Sequence, residues 1–139
     1  MNTYNINDPE FINSSNYQDF IEKNPSRGFL KIRAFAASQA IPISGLNIIV
    51  STNIGNSNVI FFEGNTNSSG VIENITLPTP RLDTNNLNAP NKTTYNILAT
   101  YTPNNISKTY KVNMYENVSV IQNISIVPNI NFEGEINGR

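Results

Sequence analysis

Acidic side chains are the first residues in this 139-residue chain that could do chemistry, and there are ten of them. Two carboxylates at a defined separation can hydrolyse a glycosidic bond, one acting as the acid and the other as base or nucleophile. Glu63, Glu73, Asp83 and Glu116 are isolated in the sequence and lie near turns or on strand faces that alternate toward solvent. We therefore predict solvated surface charge at these positions and no catalytic residues.

Aromatic and amide side chains suggest a different chemistry, the binding of sugars. Sugar-binding β-sandwich modules use aromatic faces and amide hydrogen bonds, and this chain has six Tyr and 26 Asn residues. Tyr95, Tyr101 and Tyr110 alternate in apolar runs as core residues do, and Trp is absent. If their rings are exposed, Tyr101 and Tyr115 are the candidate ligand contacts.

The absence of His and Cys excludes several mechanisms. A Ser-His-Asp or Cys-His pair cannot form, and neither can a zinc site made from imidazole or thiolate ligands. The Asn-rich loops also lack the acidic ligands of a calcium site. A net charge of −1 with scattered Lys and Arg gives no electrostatic footprint for nucleic acid. We predict no metal, no cofactor and no nucleic-acid partner.

The sequence shows neither a membrane-spanning run nor an export signal. No apolar run approaches the roughly 18–20 residues of a membrane span. The first ten residues have neither the basic start nor the apolar stretch of a signal peptide. We predict a chain with no membrane span that is not exported.

Residues 1–27 form a separate N-terminal segment in the pattern and contain a short amphipathic helix. Ser15 and Gln18 have the spacing of a capping box. Tyr17, Phe20 and Ile21 follow at positions i, i+3 and i+4, which gives one narrow apolar stripe. Pro25 disfavours a helical conformation in the residue before it, so the helix should end at Asn24.

From Gly28 onward the apolar residues alternate with period two, which is typical of half-buried strands. We predict seven strands, at about residues 28–35, 46–50, 59–62, 71–77, 95–101, 110–114 and 118–126. Turn-forming residues separate them, and no helix pattern interrupts them. The interpretation is an all-β, seven-stranded antiparallel Greek-key β-sandwich over residues 28–128, with a C-terminal tail at 129–139.

Several motifs add a resemblance to a known family. The chain resembles the transthyretin-like (prealbumin-like), or carboxypeptidase regulatory-like, domain family in three places. These are residues 28–35 and 40–48, with Pro42 and Gly45 in the turn; the turn Thr66-Asn67-Ser68-Ser69-Gly70; and residues 120–128. Asn67 stands where the family usually has Asp. The pattern is most similar to the module of clostridial spore cortex-lytic enzymes and to small standalone clostridial relatives.

This resemblance implies a non-catalytic accessory or interaction module of the bacterial spore or cell envelope, acting through protein binding. The alternative is a module that binds a peptidoglycan-related glycan. The expected location is cytoplasmic or spore-associated. Self-association through sheet edges is also expected, since an edge offers unpaired N–H and C=O groups.

One branch of the same fold, the 5-hydroxyisourate hydrolases, is enzymatic. The resemblance implies for that branch an active site with several His residues and a Tyr-Arg-Gly-Ser carboxyl end. This chain has no His and ends Ile136-Asn137-Gly138-Arg139. We therefore predict that the chain is not an enzyme.

Related surface sandwiches also join a Lys and an Asn by an isopeptide bond. Lys31 and Asn123 lie in the corresponding strands. Lys31 alternates out of phase with Leu30 and Ile32, so we expect it to face solvent, where such a bond does not form.

Overall fold

Nine β-strands and two short α-helices make up the part of the chain that the computed structural model describes, residues 2–36, 41–85 and 91–127. In chain order they are β1 (Asn2–Asn5), α1 (Pro9–Ile12), α2 (Ser15–Lys23), β2 (Ser26–Ala36), β3 (Ile41–Pro42), β4 (Asn47–Ile54), β5 (Ser57–Asn65), β6 (Val71–Thr79), β7 (Thr93–Tyr101), β8 (Ile106–Met114) and β9 (Ser119–Ser125). A 3₁₀ turn, Thr102–Asn104, links β7 to β8.

The strands form two sheets. The first has the order β1-β5-β4-β7-β8. In the second, β2 is central and pairs with β6 and β3 on antiparallel registers and with β9 on a parallel one. We call this the β2 sheet.

All seven predicted runs correspond to strands, but the predicted count and the purely antiparallel arrangement are wrong for the described residues. The two further strands, β1 and β3, have four and two residues, too few to show an alternating pattern. The pairs β1–β5 and β2–β9 are parallel. Alternation reports which face a residue occupies and not the direction of its neighbour, so orientation could not be read from it.

The core lies between the two sheets, which pack face to face. Alternate residues of β2 point into it. Completely buried members come from both sheets and include Leu30, Ile32, Ile48, Val50, Leu77, Tyr95, Ile97 and Ile124. Burial of each such side chain contributes about 1.5–3 kcal/mol. The opposite face of β2 is thereby left outside the core.

The predicted helix is present as α2, with a different cap. Ser14, not Ser15, is the N-cap, and its Oγ accepts the backbone N–H of Tyr17 at 3.2 Å. The helix ends at Lys23, before Asn24 and Pro25, as expected. Its buried residue Phe20 joins a second apolar cluster with Phe11, Ile54 and Val59.

Two further expectations concern the ends of the domain. The predicted tail at 129–139 lies outside the described residues, and the boundaries at 27/28 and 128/129 stay predictions.

None of the helices in residues 2–36, 41–85 and 91–127 has the length and apolar character needed to cross a membrane.

Candidate functional site

The outer face of the β2 sheet carries a β-bulge opposite Lys31. Leu30 pairs with Ile75 and Ile32 pairs with Ile72, so two residues of β6, Glu73 and Asn74, stand opposite the single residue Lys31. Asn74 adopts a left-handed conformation with φ of 61°, which Asn tolerates better than most residues. Both Glu73 and Asn74 are exposed. The bulge therefore turns two consecutive polar side chains to the solvent side, where a regular strand would expose one.

A shallow pocket of about 170 Å³ lies over this bulge. Its walls come from all three long strands of the sheet, and its side chains include Phe29, Lys31, Glu73, Asn74, Ser119 and Ile121. Ile121 is 54% exposed, so its aliphatic surface is open to solvent over the pocket. The pocket thus combines a ring, an aliphatic side chain and four polar groups.

Lys31 is only loosely engaged in the pocket. Its Nζ lies 3.7 Å from Glu73 Oε1, and the two side chains are 37% and 60% exposed. An exposed ion pair of this kind contributes about 0–1 kcal/mol to stability. Lys31 and Glu73 can therefore redirect toward a ligand at little cost to the fold.

The two tyrosines predicted as ligand contacts do not come together. Tyr101 pairs with Ile106 at one end of the β7–β8 hairpin, whereas Tyr115 follows Met114, which pairs with Thr93 at the other end. At about 3.3 Å per residue, these ends are separated by most of the strand length. Both rings are half-buried, and Tyr101 packs against the core. Their role in ligand contact stays a prediction, and one shared site is excluded.

The four carboxylates named above are dispersed, as expected, and Glu116 makes the most contacts of the four. Its Oε2 accepts the Ser26 hydroxyl at 2.6 Å, and its Oε1 accepts the Leu82 N–H at 2.6 Å. The Leu82 N–H first, and then the Ser26 hydroxyl, hold the pKa of Glu116 below its ordinary value, with a smaller contribution from Arg81. This geometry joins three segments of chain, and the partners of Glu116 within the described residues do not include a second acid.

Lys31 and Asn123 are not register partners. Lys31 is opposite Ile121 on β9, and Asn123 is opposite Arg33. Lys31 faces Glu73 on the other neighbouring strand, and it is partly exposed, as its phase in β2 predicts. No group of three or more Asp or Glu side chains within the described ranges is placed to hold a metal ion.

One buried polar group supports the core without taking part in the pocket. The Tyr95 ring is fully buried, and its hydroxyl donates to the Pro78 carbonyl at 2.6 Å. Burial raises the pKa of Tyr95 far above its ordinary value, so this phenol stays protonated. It is a structural hydrogen bond between β7 and β6.

No protein-family model and no curated protein matches this chain. Solved structures do match. The 5-hydroxyisourate hydrolase of Klebsiella pneumoniae superposes with a TM-score of 0.50 at 14% identity, covering 74% of this chain and 92% of the hydrolase. The fold is transthyretin-like.

Two other solved structures are similar to this chain to differing degrees. (S)-Allantoin synthase matches with a TM-score of 0.51 at 11% identity over 76% of this chain and 42% of that protein, so this chain spans less than half of the synthase. Transthyretin from Sparus aurata has a TM-score of 0.42 at 9% identity, covering 70% of this chain and 90% of its own.

These comparisons correct the predicted function. The role as a non-catalytic accessory module acting through protein binding, and its glycan-binding alternative, are contradicted because two of the similar structures are enzymes. At 11–14% identity the likeness shows the fold alone, so the expectation that this chain is not an enzyme stays a prediction. The finer resemblance to clostridial spore modules also stays a prediction.

Sequence reasoning missed the pocket, although a pattern for it exists. Strict alternation through β6 would put Glu73 on the same face as Val71 and Ile75, so a period of two does not describe this strand. The buried residues of β6 are Ile72, Ile75, Leu77 and Thr79, spaced by three, two and two. A break of one residue in the alternation is the mark of a bulge, and it places Glu73 outside the core.

Proposed function

We propose that the pocket over the β6 bulge binds a small planar ring compound that carries one anionic group and N–H donors. The observation that supports this proposal is the bulge opposite Lys31. It sets an ammonium, a carboxylate and an amide side by side on an otherwise regular sheet face.

The chemistry of the lining residues selects this ligand class. Lys31 supplies a cation for an anionic group. Glu73 and the Asn74 amide oxygen accept N–H groups, and the Ser119 hydroxyl both donates and accepts. Phe29 and Ile121 offer apolar surface on which a ring can lie.

The size of the pocket favours a small molecule over a macromolecule. At about 170 Å³ it is smaller than the roughly 300–1,000 Å³ of drug-sized sites. The two enzymes of similar fold are named for small compounds, 5-hydroxyisourate and allantoin, which supports the same choice for this chain.

Titration by NMR tests the proposal, with urate and orotate as probes. The largest shifts should fall on the pocket residues, among them the amides of Lys31 and Asn74 and the methyl groups of Ile121. Benzoate has the ring and charge without N–H donors, and uracil lacks a full negative charge, so both should bind more weakly. Glucose should not bind.

Two variants give the matched comparison. Lys31→Met should weaken urate binding at least about tenfold, the scale of one lost charge-assisted hydrogen bond. Lys111→Met removes an exposed cation from β8 in the other sheet and should leave binding unchanged. The proposal fails if neither probe shifts these signals at millimolar concentration, or if both variants weaken binding equally.

A further inference from the structure

The first strand and first helix, residues 2–12, contact the rest of the chain mainly through β5 and α2. We call them the exchange segment. Within it, β1 pairs in parallel with β5 through Thr3 opposite Asn58 and Tyr4 opposite Val59. Phe11 is 3% exposed, and its ring centroid lies 5.9 Å from Tyr4 and 5.5 Å from Tyr17.

These contacts belong to the second apolar cluster, which is distinct from the core between the sheets. Among the described residues the two clusters share Phe61, which packs against both. The core is therefore complete without the exchange segment. The same segment from another copy of the chain could make the same contacts with β5 and the second apolar cluster.

A single torsion separates α1 from α2. Asn13 has φ of −86° and ψ of 4°, close to the helical region, while Ser14 has φ of −87° and ψ of 156°. Rotating the Ser14 ψ to about −42° would fuse the two helices into one. The sequence has no Gly or Pro between Glu10 and Lys23 to interrupt such a helix.

The fused helix would direct its two buried phenylalanines toward the β-sandwiches of two different copies of the chain. Phe11 and Phe20 are nine residues apart. At 3.6 residues per turn this separation is two and a half turns, so the rings would point in opposite directions. Phe20 can stay on its own sandwich while Phe11 reaches another.

We propose that the exchange segment swaps between two copies of this chain, each copy donating its β1 to the β5 edge of the other. When the exchange segment leaves its own chain, β5 exposes Val59, which is fully buried when the segment is in place, and a row of unpaired backbone groups. The exchange segment of a second copy fits this edge because it has the same sequence. Both states contain the same strand pairing, so the Ser14 torsion and the protein concentration decide between them.

Two substitutions at the hinge test its role. Ser14→Ala and Ser14→Gly both remove the hydroxyl that donates to the Phe11 carbonyl at 2.6 Å and accepts the Tyr17 N–H at 3.2 Å. Alanine favours the helical conformation over glycine by a factor of about five in the equilibrium constant of one hinge. A dimer has two hinges, so the factor becomes about 25. After refolding over a range of concentrations, analytical ultracentrifugation should show a dimer dissociation constant about 25-fold lower for Ser14→Ala. Equal constants would overturn the proposal.

Cross-linking identifies which strands pair. The natural chain has no Cys, so Thr3→Cys and Asn58→Cys introduce single thiols at register partners. Chains with one thiol each, mixed in the Ser14→Ala background and refolded together, should form disulfide-linked heterodimers. The double variant refolded at high dilution should close its disulfide within one chain. The exchange would be contradicted if the mixed single-thiol chains form dimers without a disulfide between them while the double variant closes its disulfide within one chain.

Discussion

Ser26 and Glu116, 90 residues apart in the sequence, are joined by a hydrogen bond of 2.6 Å from the serine hydroxyl to the carboxylate. The same carboxylate accepts the Leu82 N–H at 2.6 Å. One side chain thus ties the start of β2 to the segment after β6 and to the turn between β8 and β9.

This arrangement predicts a pH dependence of stability. The folded state holds the pKa of Glu116 below its ordinary value of 4.5. The stability it contributes is therefore present above pH 4.5 and is lost as the pH falls through the folded pKa. In urea unfolding from about pH 6 to about pH 3, the wild-type free energy of unfolding should fall relative to that of Glu116→Gln.

Glu63→Gln is the control, because the Glu63 side chain has no hydrogen bond or ion pair to the described residues. Its free energy of unfolding should follow that of the wild type across the series. If the free energies of unfolding of the wild type and Glu116→Gln differ by the same amount at every pH, the prediction is contradicted.

Two buried threonines should respond oppositely to the same substitution. Thr79 is fully buried, and its hydroxyl has no hydrogen-bond partner among the described residues. Thr66 is also buried, but it donates to the Ile43 carbonyl at 2.6 Å and accepts the Leu46 N–H at 3.0 Å. Thr79→Val should be neutral or stabilising by up to about 2 kcal/mol, and Thr66→Val should cost about 1–3 kcal/mol.

Thermal or urea unfolding of the two valine variants checks this pair. An equal loss of stability in both would show that the Thr79 hydroxyl has a partner, such as a bound water, in solution.

Two glycines with the same backbone angle should differ in their tolerance of a methyl group. Gly45 has φ of +77° and Gly70 has φ of +75°. A Cβ at Gly45 meets nothing within 4 Å, whereas one at Gly70 would lie 2.4 Å from the Ala34 carbonyl oxygen. Gly45→Ala should cost about 1–2 kcal/mol from the backbone alone, and Gly70→Ala roughly 3 kcal/mol or more. Unfolding midpoints measure both, and a Gly45 variant as unstable as the Gly70 variant would contradict the assignment.

The expectation that this chain is not an enzyme has a direct assay. Because it has no His, we expect no faster decay of 5-hydroxyisourate absorbance with the protein than in buffer. The Klebsiella pneumoniae hydrolase serves as the positive control. Decay that rises with protein concentration and is lost in Lys31→Met would show that the bulge pocket is catalytic.

Sequence patterns predicted the core strands well because burial of one strand face leaves a strict period of two. Leu30 and Ile32, and likewise Ile48 and Val50, are fully buried, as their phase indicates. Strand direction and the short strands were beyond this reasoning, since β3 has two residues and pairing geometry leaves no trace in alternation.

The candidate pocket was harder to predict because a bulge interrupts the pattern on which the prediction rests. Lys31 was correctly placed toward solvent from its phase in β2. The side chains that join it, Asn74 and Ser119, lie 43 and 88 residues further along the chain. Only the tertiary register brings them together.

The parallel pairing of β2 with β9 constrains how the chain can acquire its structure during synthesis. Phe29 pairs with Ser119, 90 positions later, so β2 leaves the ribosome long before its neighbour exists. At about 5–20 residues per second, that interval is about 5–20 s. For this time the edge of β2 that β9 covers has no partner strand from that side of its own chain, and such an unpaired edge can pair with other nascent chains.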